Sequence, residues 1–313
     1  MDTKQRPSHL SNHELADPMT TRYMSALIRT IAHLRLSSIL VVGALALLVA
    51  GLAPVQGQNR VVNDGTSDPS PAACNVTPDD PSIQAAVNNA TAGNTILVCP
   101  GTYTEEVNIN KALTLNGPNA GISPNDASNP RNLNANRNAE AIVKPSSGAA
   151  AAFHIGASNV TINGFTLDGD SGIPFGINNF DLDAGDFGQY EATENFTVTN
   201  NIVRDFERFG IFVCNGDNDC TGSRDSRLVT TGLTTDGVVS TNRFVGIDGG
   251  SGAGKAIVMQ ADGIIETVTD NVILTDTPVA GQTQTGIQTE NLGLGNMTDA
   301  SGLTLTFSGN LID

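Results

Sequence analysis

Two short patterns recur through the second half of this 313-residue chain, and an internal repeat restricts the possible folds more tightly than composition can. One is a small residue or His followed by Ile, at His154-Ile155, Gly176-Ile177, Gly210-Ile211, Ala256-Ile257 and Gly286-Ile287. The other is an Asn that follows a Thr/Val-rich stretch and precedes an apolar pair or near pair, at Asn163, Asn201, Asn242, Asn271 and Asn310. From each Asn to the next Ile the distances are 14, 10, 15 and 16 residues, whereas from each Ile to its Asn they are 8, 24, 31, 14 and 23. Insertions are therefore expected to leave from one corner of the repeat. The shortest Ile-to-Ile step, 22 residues, suits one turn of a coil whose short parallel strands stack on copies of themselves, and the 46-residue step is long enough for two. The anchor asparagines are expected to be structural, because Asn tolerates a left-handed corner and stacked amides hydrogen-bond along the axis.

Composition agrees with one elongated all-β domain: 33 Gly, 14 Pro and only 15% charged residues describe many short strands and turns. Trp is absent and aromatics are 4%, so the core must be built from Val, Ile, Leu and Ala, with little aromatic surface to stack on sugars or bases. From Arg60 onward 11 basic residues face 29 acidic ones, a balance that excludes nucleic acid as a partner.

Residues 1–57 read as a signal peptide or membrane-anchor leader. Arg22, Arg29, His33 and Arg35 precede an apolar run from Ile39 to Ala53, and Val55 and Gly57 supply small side chains suited to cleavage before Gln58. The run is shorter than the roughly 20 residues of a spanning helix, so export is expected, with an uncleaved leader as the only route to a membrane. The expected location is secreted, periplasmic or cell-surface. All four cysteines lie beyond the leader. Two disulfides are expected, Cys214 with Cys220 across the short loop CNGDNDC, and Cys74 with Cys99.

Residues 58–78 lack a period and read as a linker to a domain over 79–313. One short helix follows, with Asp80 as cap, Pro81 in the first turn, Ile83, Ala86, Val87 and Ala90 at helical spacing, and Gly93 as the stop. Strands are expected at TILVC, through Val107 and Ile109, and through Leu113 and Leu115.

The run PSIQAAVNNATAGNTILVCPGTYTEEVNINKALTLNG resembles the N-terminal capping unit of right-handed parallel β-helix proteins of the pectin-lyase-like superfamily. NVTINGFTLDG and NFTVTNNIVRDFERFGIFV resemble the coil repeats of that family, and the likeness covers roughly residues 80–313. It implies an all-β, right-handed parallel β-helix with one short N-terminal capping helix. It leaves function open, since the family includes polysaccharide lyases, glycoside hydrolases, pectin esterases, surface adhesins and periplasmic proteins.

No catalytic set of the family carries over. A polygalacturonase-like site needs adjacent carboxylates on a coil and Gly-His-Gly, but the adjacent pair here, Asp79-Asp80, precedes the helix, and His154 is the one His beyond the leader. The esterase-like Gln-Asp-Thr-Leu is missing. A lyase-like site needs a basic side chain to take a proton beside a carboxylate neutralised by Ca²⁺; Arg204, Arg208, Arg243 and Lys255 lie on or near strands, without a signature for the role. Gly249 to Lys255 meets a phosphate-loop spacing, but Ala256 stands where Ser or Thr would bind Mg²⁺, and AIVMQ reads as a strand. The acidic loops are better candidates. DLDAGD brings Asp181, Asp183 and Asp186 together as Ca²⁺ ligands, and NGDNDC adds Asp217 and Asp219 to the binding candidates. The expected function is recognition or adhesion at the cell surface or in secretion, with polysaccharide or a cell-surface glycan as ligand. The alternative is a Ca²⁺-dependent lyase of uronic-acid polymers. The last coil is expected to lack a C-terminal cap.

Overall fold

The computed structural model describes residues 59–65, 74, 76–170, 172–181, 189–190, 193, 195–214, 237–247, 254–260, 265–274, 285–290 and 306–313. The leader, Asp183, Asp186, Asp217, Asp219 and Cys220 lie outside them. Among the described residues no helix is long and apolar enough to cross a membrane.

The chain forms a parallel β-helix of three sheets. The first contains β1 (Arg60–Val62), β2 (Thr95–Val98), β5 (Thr114–Asn116), β8 (Thr161–Asn163), β13 (Thr197–Thr199), β16 (Gly237–Ser240), β19 (Ile265–Thr269) and β22 (Thr306–Ser308). The second contains β3 (Gly101–Tyr103), β6 (Ala141–Val143), β9 (Thr166–Asp168), β14 (Ile202–Arg204), β17 (Arg243–Val245), β20 (Val272–Leu274) and β23 (Leu311–Ile312). The third contains β4 (Val107–Ile109), β7 (Ala151–Ile155), β10 (Phe175–Asn178), β15 (Phe209–Cys214), β18 (Lys255–Gln260) and β21 (Thr285–Glu290). A separate antiparallel pair joins β11 (Phe180–Asp181) to β12 (Gln189–Tyr190). β1 lies inside the stretch that sequence sets aside as a linker.

Triplets with one apolar centre explain the first sheet. In Thr161-Ile162-Asn163 and Thr197-Val198-Thr199 the central residue is fully buried while its neighbours face outward. Stacking the triplets in register makes one continuous core of Ile, Val and Leu, with Phe153, Phe165, Phe196, Phe206 and Phe244 filling its wider parts.

The asparagine ladder exists, with one member misplaced by sequence. Asn201, Asn242 and Asn271 are fully buried, and each accepts at Oδ1 from the backbone N–H and side-chain amide of the residue one turn earlier where that residue is Asn. Asn310 closes the series beneath Asn271. In the turn before Asn201 the ladder position holds Phe165, whose N–H donates to Asn201 Oδ1, while Asn163 pairs with Thr199 on the outer face. The left-handed residue is the one before the ladder Asn: Asn200, Thr241 and Asp270 have φ near 57°. The first Ile anchor is shifted likewise, since Ile177 pairs with Phe153 rather than Ile155. Both corrections are two residues long but differ in kind: Ile155 and Phe153 share the inner face of one strand, so that slip leaves the apolar pattern unchanged, whereas Asn163 precedes the left-handed corner at Gly164 and the ladder position follows it.

The 46-residue step is a single turn, because Ile211 pairs directly with Ile257. Insertions leave from all three corners rather than one: after β10 and β15, between β17 and β18, and, as the longest described segment, between β5 and β6. That last segment, 117–140, runs along the second sheet as a strap. Gly164, at φ +82°, lies directly beneath it, where any Cβ would collide with the backbone of Asn119 and Ala120. Arg137 donates to Asn200 O at 3.1 Å, Asn125 donates to Asn242 O at 3.3 Å, and Arg243 donates to the carbonyls of Pro130 and Arg131 at 3.1 and 2.7 Å. Ile202, Arg243 and Val272, which point outward from the second sheet, are buried, and Arg243 lies directly beneath the strap.

Helix α1 spans Ile83–Asn89, with Ile83, Ala86 and Val87 buried as the spacing predicts. Its cap is Ser82, not Asp80, and Ser82 Oγ accepts from Ala85 N. Asp80 instead bridges to Val62 and binds Arg60 at 2.6 and 2.9 Å. The Glu105 carboxylate accepts from Ile83 N and Gln84 N at the helix start, and Lys111 Nζ donates to the carbonyls of Val87, Asn88 and Ala90 at its end. These charges complement the exposed backbone groups at each terminus. Cys74 and Cys99 form a disulfide, which fastens the chain before the helix to the end of β2. Cys214 closes β15, and the expected pairing with Cys220 falls outside the described residues.

Candidate functional site

The outer face of the third sheet carries the most varied chemistry of the three. Two outward columns follow from strand register. Asn108, His154, Asn178, Phe212, Val258 and Gln288 make one; Ala151, Phe175, Phe209 and Lys255 make the other. Phe175, Phe209 and Phe212 converge, with ring centroids 5.2 to 5.7 Å apart. Arg208 and Lys255 both lie against the Phe209 ring, 5.6 and 5.5 Å from its centre. Two cations sharing one ring repel each other and attract an anion, in a chain whose formal charge is −16.

Beside this cluster the polar column is tightly bound. His154 Nδ1 and Asn178 Oδ1 are 2.9 Å apart, both side chains are buried, and Asn179 Nδ2 donates to the buried Thr193. Outward side chains are buried here, where β11 packs near β7. The Glu106 carboxylate accepts from Ala150 N and Ala151 N, fixing the entry to β7.

Of the sequence candidates, Asp181 is placed on β11 opposite Gln189. Asp183, Asp186, Asp217 and Asp219 lie outside the described residues, so the arrangement of the acidic loops is not defined by them. The loop origins are adjacent, because Asn178 at the end of β10 pairs with Phe212 of β15. Among the described residues no three His, Cys, Asp or Glu side chains form a metal-sized group.

The four basic candidates separate. Arg208 and Lys255 meet at Phe209. Arg204 binds Asp168 through Nε and Nη2 at 3.2 and 2.8 Å on the second sheet. Arg243 lies beneath the strap with carbonyls as partners, and burial lowers its pKa from the ordinary arginine value. Lys255 opens β18, so the glycine run before it leads into a strand, as the sequence predicts. Sequence reasoning missed the Phe175, Phe209 and Phe212 cluster, although the shared position of Phe175 and Phe209, one residue before Gly-Ile, carried the signal.

No family model, curated protein or solved structure matches this chain.

Proposed function

We propose that this chain is an exported recognition or adhesion protein, allied to the pectin-lyase-like superfamily, that binds a polysaccharide or cell-surface glycan along the outer face of the third sheet. The observation that carries the reading is the convergence of Phe175, Phe209 and Phe212 under Arg208 and Lys255, next to the origins of the inserted chain after Asn178 and Cys214. Inserted segments of a solenoid commonly serve binding, and a ring flanked by cations suits a ligand with both an apolar face and a negative charge. Ca²⁺ belongs to the proposal through Asp181, Asp183 and Asp186, whose close spacing in sequence supplies the oxygen ligands that ion takes.

The test is binding of the exported chain to neutral and uronic-acid polysaccharides, with and without Ca²⁺, alongside an ultraviolet assay for unsaturated products. Binding weakened by Phe209→Ala supports the recognition reading. Product formation would replace it by the alternative, a Ca²⁺-dependent lyase. Absence of binding to every glycan tested would overturn both. If Ca²⁺ leaves the melting temperature unchanged, the metal part fails while the glycan part stands.

A further inference from the structure

The outer face of the first sheet is chemically unlike the other two. Register stacks Thr95, Thr114, Thr161, Thr197, Thr267 and Thr306 in one column, with Val238 as the only member of another type. Two residues further along each strand a second column holds Asn116, Asn163, Thr199, Ser240, Thr269 and Ser308, led by Val61 and Leu97. Neither column contains a charged residue, although 15% of the chain is charged and its formal charge is −16. Ten of the fifteen positions carry a hydroxyl. Val238 keeps the shape of Thr.

The geometry of such a face is set by the backbone. Neighbouring members of a column lie one strand apart, about 4.8 Å, and the columns lie two residues apart along the strand, about 6.6 Å. Each Thr has a β-branched side chain whose χ1 is restricted, so hydroxyl and methyl groups hold a fixed direction. Most of the pairings are one-to-one; the single shift in register falls at Gly237 and Val238. Internal hydrogen bonding tightens the second column, where Ser240 Oγ donates to Thr199 Oγ1 at 3.2 Å and Asn200 Nδ2 donates to Asn163 Oδ1 at 3.0 Å. The strap borders this column rather than crossing it, through Gly121 N to Asn163 Oδ1.

We propose that this face binds ice. The oxygen rows of hexagonal ice repeat at a spacing close to that of stacked strands, and a protein surface matches them only if its own polar groups are periodic, fixed and uncharged. A soluble charged or flexible ligand has no use for such regularity. Charged side chains would hold disordered hydration shells against the lattice, and their exclusion from both columns of a strongly acidic chain is the complementarity that favours a neutral lattice over an ionic partner. Methyl groups between the hydroxyls order the intervening water, so the two columns present a template of the solid rather than of the liquid. The face is separate from the third sheet, and the proposal does not depend on glycan binding.

The experiment measures thermal hysteresis and inhibition of ice recrystallisation with the exported chain, and with Thr161→Tyr and Thr197→Tyr, which raise bulk at the centre of the first column. Thr102→Tyr, at an exposed position on the second sheet, is the control. Circular dichroism establishes that each variant keeps the fold. The expected result is measurable hysteresis and facetted ice crystals with the unmodified chain, loss of both in the two central variants, and retention in the control. An unmodified chain without effect on ice overturns the proposal, and so does full activity in the folded central variants. Retention on crystalline cellulose or chitin with no effect on ice would assign the face to a polysaccharide crystal and would equally overturn it.

Discussion

Asn242 Oδ1 accepts two hydrogen bonds from one residue, Asn201, at 3.0 Å from its backbone N–H and 3.2 Å from its side-chain amide. The Asn242 amide nitrogen donates in turn to Val198 O at 2.9 Å and to Asn271 Oδ1 at 3.0 Å. One buried side chain thus serves three turns of the coil.

Asn242→Ala should destabilise the chain by roughly 3 kcal/mol, because it orphans a buried N–H and a buried carbonyl together. Asn163→Ala, which removes an Asn from the outer face, should cost about 1 kcal/mol. Denaturant titration of the two variants separates them, and equal losses would contradict the ladder assignment.

Arg243→Met should loosen the strap, since two loop carbonyls lose a charged donor, at a cost on the order of 3 kcal/mol. Hydrogen exchange at Asp126, Asn132 and Asn134, whose amides bond within the strap, should quicken. Arg131→Ala should change stability by less than about 0.5 kcal/mol, because the Arg131 pair with Asp313 is solvent-exposed. A larger effect from Arg131 than from Arg243 would refute the assignment of the clasp.

Asp80 supplies a pH dependence. The hydrogen bonds from Arg60 outweigh burial, and with help from Asn89 they hold its carboxyl below the ordinary carboxylate pKa. A depressed folded pKa means that the contribution is complete above the unfolded value of about 3.9 and is lost as pH falls through the folded value. Asp80→Asn should therefore lower the melting temperature at neutral pH and flatten its decline in acid. A parallel decline in both proteins would show that Asp80 does not titrate on unfolding.

Cys74→Ser should cost about 3 kcal/mol, the entropy of a closed loop with a sequence separation of 25. Reductant should lower the melting temperature of the unmodified chain by more than that of the variant, and equal falls would show that the Cys74–Cys99 bond adds no stability.

The architecture was legible in sequence because stacked turns repeat their own chemistry, and α1, β2, β4 and β5 follow from apolar spacing alone. Register was less legible. Ile155 imitates the core position at a distance of two residues, and a period of two cannot reveal a slip of two; Asn163 imitates the ladder from the other side of the Gly164 corner, which spacing alone does not mark. Ser82 rather than Asp80 caps the helix because Asp80 is already engaged by Arg60, a partner twenty residues away that local pattern does not disclose. The third-sheet cluster was hidden for a similar reason: Phe175 and Phe209 are distant in sequence and meet only once their strands are stacked.

A stack of turns ordinarily comes apart like a zipper, from an end and one tooth at a time, because each turn touches only its neighbours. The 117–140 strap removes that route. It begins after β5 and is tied to Gly164, Asn200, Asn242 and Arg243, which belong to three later turns. A pull on any one of these turns is shared by all of them, so the region should yield in a single rupture rather than by peeling.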